Sequence, residues 1–182
     1  MQKSEGFLSG FGEPRWVALW AAMLGFLLDA MDVLFYLFAL QSIRVEFGMS
    51  LGEAGLVTAV TMAASSLGGI GCGWLADRIG RRKALMYTII VYSVASGGSA
   101  TATGFGSLLV WRALVGIGLG GEWSAGSVLV AEVVAGGAPG KAISFMQSGW
   151  ALGYMLAAGI SGVVLPVYGW RCCFWWGYCR RC

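Results

Sequence analysis

The sequence predicts an all-α integral membrane protein, and three observations carry that prediction. Five apolar runs of about 20 residues or more are each long enough to cross a hydrocarbon core of roughly 30 Å as a helix. The composition is 58% apolar and 12% charged, about half the charged fraction of a soluble domain. The charges that are present gather in short connections between the apolar runs, while glycines and tryptophans recur through the chain. That pattern suits closely packed membrane helices with interfacial aromatic anchors. The same composition excludes other classes. At 182 residues the chain is one domain's length, and its net charge of +3 is spread over loops rather than along one basic face, so nucleic acid is not an expected partner. Histidine, the commonest general base and metal ligand, is absent. Cys72 lies inside an apolar run and the other four cysteines fall in the last eleven residues, which is no disulfide framework. No cofactor or metal is expected.

Residues 1–15 form a short polar lead containing Lys3, Glu5, Glu13 and Arg15. The first span runs from Trp16 to Leu40; at about 25 residues with no small-residue cleavage site, it reads as a retained helix rather than a signal peptide. Gln41 to Gly52 is expected as a polar connection. The second span runs from Ala54 to Leu75, followed by a charged turn, Gly73 to Lys83. The third covers Ala84 to Thr103, with a tight turn at Gly104-Phe105-Gly106. The fourth covers Leu108 to Val130, ending at Glu132. Gly136 to Lys141 is expected as a turn, and the fifth span covers Ala142 to Val167. Small residues spaced four apart, Gly69/Gly73, Gly116/Gly120 and Gly149/Gly153, are expected where helix backbones approach.

The basic residues set the orientation. With the N-terminus inside, Lys3, Arg15, Arg78, Arg81, Arg82, Lys83 and Lys141 are cytoplasmic, and only Arg44 and Arg171 lie outside. The excess of cations on one side predicts a cytoplasmic N-terminus.

Ionisable residues within the spans are the first candidates for function. Asp29 and Asp32 lie in the first span, Arg112 and Glu122 in the fourth. Each costs about 2.5–3.5 kcal/mol at a helix centre on insertion scales, so such residues mark ion or substrate paths. Asp29, Asp32 and Tyr36 share one helical face. At about 1.5 Å per residue, Asp29, Asp32 and Arg112 fall at similar depth, and Glu122 lies nearer the cytoplasmic side. Arg112 therefore has two candidate carboxylate partners, and an Asp–Arg pair that only locks two helices is the plainer alternative. Three carboxylates facing one arginine in low dielectric cannot all stay ionised, and a carboxyl that takes up and releases a proton is what proton-coupled transport needs. Gln147, Trp150 and Tyr154 share a face of the fifth span, either as a polar contact with aromatic walls for a substrate or as lipid-facing packing.

The charged turn reads Gly73-Trp-Leu-Ala-Asp77-Arg78-Ile-Gly80-Arg81-Arg82-Lys83, and its spacing resembles the loop signature of the major facilitator superfamily of secondary transporters. A positive-inside loop alone would need the cations but neither Asp77 nor Gly80. Arg112-Ala-Leu-Val-Gly116-Ile-Gly118-Leu-Gly120-Gly121-Glu122 resembles the fourth-helix motif of proton-linked facilitators. The resemblance gives Arg112 a proton-transfer role, with Gly116, Gly118 and Gly120 as a smooth face beside it. The Asp29/Asp32 pair, Gly120 to Trp123 and Gln147 to Gly153 look like the metabolite:proton symporter branch, whose members carry organic acids such as sialate, lactate and aromatic carboxylates. The resemblance spans Trp16 to Arg171 and departs from the family at Pro139-Gly140-Lys141.

It implies five helices of an N-terminal half in the plasma (inner) membrane, with a small carboxylate and a proton as partners, no enzyme activity, and a C-terminal half that is missing. It also implies a conformational latch at the cytoplasmic end: Gly73, Asp77, Arg78, Gly80, Arg81 and Arg82, with Glu132 completing a charge relay. A membrane-embedded enzyme is disfavoured by the lack of a base, a nucleophile pair or a metal-ligand cluster.

After Arg171 the family pattern calls for a sixth helix, but the stretch from Cys172 to Cys179 is too short to span a bilayer. Read from the third base of each codon, Phe174 to Cys182 becomes an apolar string beginning Leu-Val-Gly, so residues 172–182 are expected to be an out-of-frame tail. A metal knuckle built on Cys172, Cys173, Cys179 and Cys182 is the weaker alternative. A product truncated there is expected to be inactive alone, and a non-transporting membrane fragment is the rival reading.

Overall fold

A computed structural model describes residues 14–133 and 139–174. Its elements are α1 (Pro14–Phe47), α2 (Leu51–Ile79), α3 (Arg81–Ser99), α4 (Phe105–Val133), α5 (Pro139–Tyr168) and a single turn, α6 (Arg171–Phe174). The polar lead over 1–13, residues 134–138 and the tail over 175–182, including Cys179 and Cys182, lie outside the described residues.

The connections are shorter than the charge pattern suggests. α1 continues through Gln41–Phe47, because nothing there breaks a helix and Arg44 donates to Gln41 one turn earlier, at 2.9 Å. Gly48, at φ +62°, ends it. A capping box then starts α2: the Ser50 hydroxyl accepts from the Glu53 amide at 3.2 Å, and the Ser50 amide donates to the Glu53 carboxylate at 2.7 Å. Most of the stretch expected as a charged loop is helical. α2 runs through Asp77 and Arg78 to Ile79, and α3 begins at Arg81, with Gly80 alone turning the chain at φ +92°. A side chain with a Cβ rarely adopts that φ, so one glycine does the work of a loop. The turn expected at Gly104-Phe105-Gly106 is already the start of α4, where the Ser107 hydroxyl accepts from the amides of Thr103 and Gly104 at 3.0 and 3.2 Å. Pro139 opens α5, a position where its missing N–H costs nothing.

Among the described residues four helices are long and apolar enough to cross a membrane: α1, α2, α4 and α5. The third expected span, α3, has 19 residues, a rise of about 28 Å. Arg81, Arg82 and Lys83 fill its first turn, which shortens its apolar part.

Two close helix pairs organise the bundle, and both are built on glycines four apart. On α4, Gly116 lies against the Thr61 carbonyl and Gly120 against the Ser65 carbonyl of α2. On α5, Gly149 lies against the Met23 carbonyl of α1, and Gly153 against Leu27 and Ala30. α3 covers another side of α4, where a Cβ at Gly118 would come within 2.7 Å of Tyr92 Cβ. The glycines at 116, 118 and 120 therefore do not form one smooth face: alternate positions point to different partners, as a period of about 3.6 residues dictates. Gly69 approaches Gly120, but nothing lies within 4 Å of a Cβ at Gly73, so that pairing extends only one residue. The contact between α1 and α4, where the two pairs meet, is thinner and carries the polar residues.

Candidate functional site

The polar centre is assembled from α1, α3 and α4. Arg112 Nη1 donates to Asp32 Oδ2 at 3.0 Å, with both side chains buried. Ser96 of α3 donates to the other Asp32 oxygen. The guanidinium lies between two rings, 4.4 Å from the Tyr36 centroid and 4.7 Å from that of Phe174. Its Nε and Nη2 are buried with no hydrogen-bond partner. Those two N–H groups form a fork suited to a carboxylate, and a buried donor left unmade costs about 1–3 kcal/mol.

Of the two candidate partners for Arg112, the structure pairs it with Asp32. The second acidic group sits deeper. Asp29 is fully buried and neither carboxyl oxygen has a hydrogen-bond partner. Glu122 is 4% exposed, and its Oε1 fills the space a side chain at Gly25 would take. Glu122 and Asp32 are the acids close enough to act on Asp29 electrostatically. One acid thus has a cation and the other two do not. The Tyr92 hydroxyl of α3 donates to the Leu28 carbonyl at 3.4 Å, tying α3 to α1 beside the pair.

Tyr36 lies with Arg112 rather than with Asp29. Trp150 and Tyr154 stand apart from the ion pair, in an aromatic group the sequence did not single out as a whole. Phe26 of α1 stacks on Trp123 of α4 at 5.7 Å, Trp150 meets Trp123 edge-on at 4.9 Å, and Tyr154 lies 6.3 Å from Trp150. Gln147 is exposed on the same side of α5.

At the α2–α3 turn, Asp77 and Arg81 are 3.4 Å apart and Asp77 is 70% exposed. Arg78 lies 3.9 Å over the Trp74 ring and Arg82 is exposed. Glu132 is in the last turn of α4, and its side chain is outside the described part. At the other end of the bundle Glu46 accepts from the Trp170 indole at 2.6 Å and from Arg171, which also reaches the Ala102 carbonyl at 3.2 Å. Arg171 therefore clamps α1, α5 and the α3–α4 turn, a role invisible in sequence because its partners lie 125 and 69 residues away. Ser96 likewise gives no sequence signal in a run of small residues.

A model of the Major Facilitator Superfamily matches residues 22–176. A probable 4-methylmuconolactone transporter of Cupriavidus pinatubonensis is 36% identical over 87% of this chain and 38% of its own length. A putative niacin/nicotinamide transporter of Bacillus subtilis is 39% identical over 84% of this chain and 38% of its own. A sialic acid transporter of Escherichia coli is 35% identical over 90% and 40%. The chain thus spans about two fifths of the length of these relatives. A solved proton:xylose symporter bound to 6-bromo-6-deoxy-D-glucose superposes with a TM-score of 0.77 over 90% of this chain and 42% of that one, at 21% identity, which shows the shared fold.

Proposed function

The chain belongs to the major facilitator superfamily, and from that premise we propose that it forms the N-terminal part of a secondary transporter that carries a small organic acid together with a proton. The relatives are transporters named for muconolactone, niacin and sialic acid, and the apolar helices make it a multi-pass membrane protein. The inner membrane with the N-terminus inside is the expected setting, and a second, C-terminal bundle is the expected partner across the substrate path.

The observation that carries the reading is the buried Asp32–Arg112 pair with the Nε/Nη2 side of Arg112 buried and unpaired. Protonating Asp32 removes the counter-ion of a buried cation, and losing one partner of such a pair costs about 3–5 kcal/mol. A substrate carboxylate on the Nε/Nη2 fork restores the balance. Proton and acid then enter together, the proton on Asp32 and the acid on Arg112, with no net change in buried charge. Asp29 and Glu122, two neighbouring acids without a cation, hold a proton between them and pass it along α1. Asp77, Arg81 and Glu132 act as a latch at the cytoplasmic end rather than as substrate groups.

The test is proton uptake on binding. In a weakly buffered suspension of the protein in lipid nanodiscs, nicotinate should draw in roughly one proton per acid bound. Asp32→Asn, which mimics the protonated state, should bind the acid without that uptake. Binding with no proton uptake by the unmodified protein would contradict the coupling.

A further inference from the structure

Hydroxyls inside these helices are mostly spent within their own helix. Thr61 donates to the Val57 carbonyl at 2.8 Å, Thr88 to that of Leu85 at 2.8 Å, Ser99 to that of Ala95 at 3.0 Å and Ser148 to that of Phe145 at 2.6 Å. A serine or threonine in a helix ordinarily bonds back in this way, to the carbonyl three or four residues earlier. Ser96 has the Tyr92 carbonyl in that place. Its hydroxyl instead crosses to α1 and donates to Asp32 Oδ1.

Asp32 is thereby held by two donors of different kinds. Arg112 Nη1 donates to Oδ2 at 3.0 Å, and a guanidinium can only donate. Once Asp32 carries a proton, its O–H needs an acceptor, which Arg112 does not offer. A hydroxyl both donates and accepts. By turning about its Cβ–Oγ bond, Ser96 accepts from the protonated Asp32 and gives its own hydrogen to the Tyr92 carbonyl. Ser96 keeps that hydrogen throughout; the proton gained by Asp32 comes from solvent and returns there. The titratable and charged groups around Asp32 are Asp29 and Tyr36 on α1, Tyr92 on α3, and Arg112 and Glu122 on α4. The Tyr92 hydroxyl is engaged by the Leu28 carbonyl. Ser96 and Asp32 both line a cavity of about 680 Å³ between α1 and α3, with Ser93 and Thr101 among its polar residues. The hydroxyl therefore has room to turn, and the cavity can take a methyl added at residue 96.

We propose that Ser96 is a positioning residue for the proton step: it holds Asp32 in one place in both its charged and its neutral form, and so sets the pH at which proton and acid are taken up together. The inference rests on the proton reading of Asp32 above and adds the group that governs it. It also gives α3, which carries none of the intramembrane charges, a part in the coupling.

A hydrogen bond to a charged acceptor is about twice as strong as one between neutral partners, so losing the Ser96 hydroxyl weakens the charged form of Asp32 more than the neutral form. Ser96→Ala should therefore move the pH profile of nicotinate-linked proton uptake, measured on the protein in lipid nanodiscs, to higher pH by about half to one unit. Alanine is the better helix former, so the fold is not at stake. Ser96→Thr keeps the hydroxyl and should hold the original profile. Ser93→Ala, exposed in the same cavity, should leave the profile where it was. An unmoved profile in Ser96→Ala, an equal shift in Ser93→Ala, or the full shift in Ser96→Thr overturns the role of Ser96 while the proton reading of Asp32 stands. Nicotinate binding without proton uptake by the unmodified protein at any pH overturns that reading and the role of Ser96 with it.

Discussion

Replacing Asp32 by Asn should destabilise the bundle more than its size suggests, and the loss should shrink when Arg112 is replaced as well. Arg112 is 2% exposed, two of its three nitrogens already lack partners, and Asp32 is the acid it binds. Asn keeps the volume and can still accept from Ser96, so the change is almost purely one of charge. A buried cation left uncompensated costs about 3–5 kcal/mol. Stacking between Tyr36 and Phe174 offsets part of that, since a desolvated cation–π contact contributes about 2 kcal/mol. The lower end of the range, about 3 kcal/mol, is therefore the expected loss. Arg112→Gln in the Asp32→Asn background removes the stranded charge, so the double mutant should be more stable than the sum of the single losses by about 0.5–3 kcal/mol. Reversible unfolding in mixed micelles by titrated detergent measures all four proteins. Additivity within about 0.5 kcal/mol would mean that the two residues do not form a coupled pair, and the account of Arg112 would fail.

Gly120→Leu should prevent close packing of α4 on α2, because its side chain would meet the Ser65 backbone, which cannot swing aside; the monodisperse fraction after extraction should fall sharply. Asp77→Ala should change stability by less than about 1 kcal/mol, since the ion pair with Arg81 is exposed. The same change should slow transport in a complete transporter without altering which acids compete, and an altered preference at normal rate would place the turn at the binding site.

The sequence shows most of the bundle because its information is local. Apolar runs locate the spans, and the glycines at 116/120 and 149/153 mark the two close helix pairs. Helix ends are less legible. Gln41–Phe47 and Asp77–Ile79 carry charge, which reads as loop, yet a charged residue at a membrane surface is compatible with helix until a glycine stops it. Asp29, Asp32, Arg112 and Glu122 stand out because each is costly in an apolar span. Which acid faces Arg112 is not readable at the precision of a depth estimate: Asp29 and Asp32 differ by about 4.5 Å along the helix, less than the error in the span ends. The Ser96 contact, the Glu46–Trp170–Arg171 clamp and the joining of Phe26 and Trp123 to Trp150 depend on tertiary packing between ordinary residues, and nothing in the local pattern announces them.

The central claim is that carboxylates of α1 couple proton movement to movement of an organic acid. Uptake of labelled nicotinate into proteoliposomes containing the complete transporter, with and without an inward-directed proton gradient, tests it most directly. The account predicts accumulation driven by the gradient and abolished by Asp29→Asn or Asp32→Asn, with membrane insertion unchanged. Full gradient-driven accumulation in both single mutants and in the double mutant would contradict it.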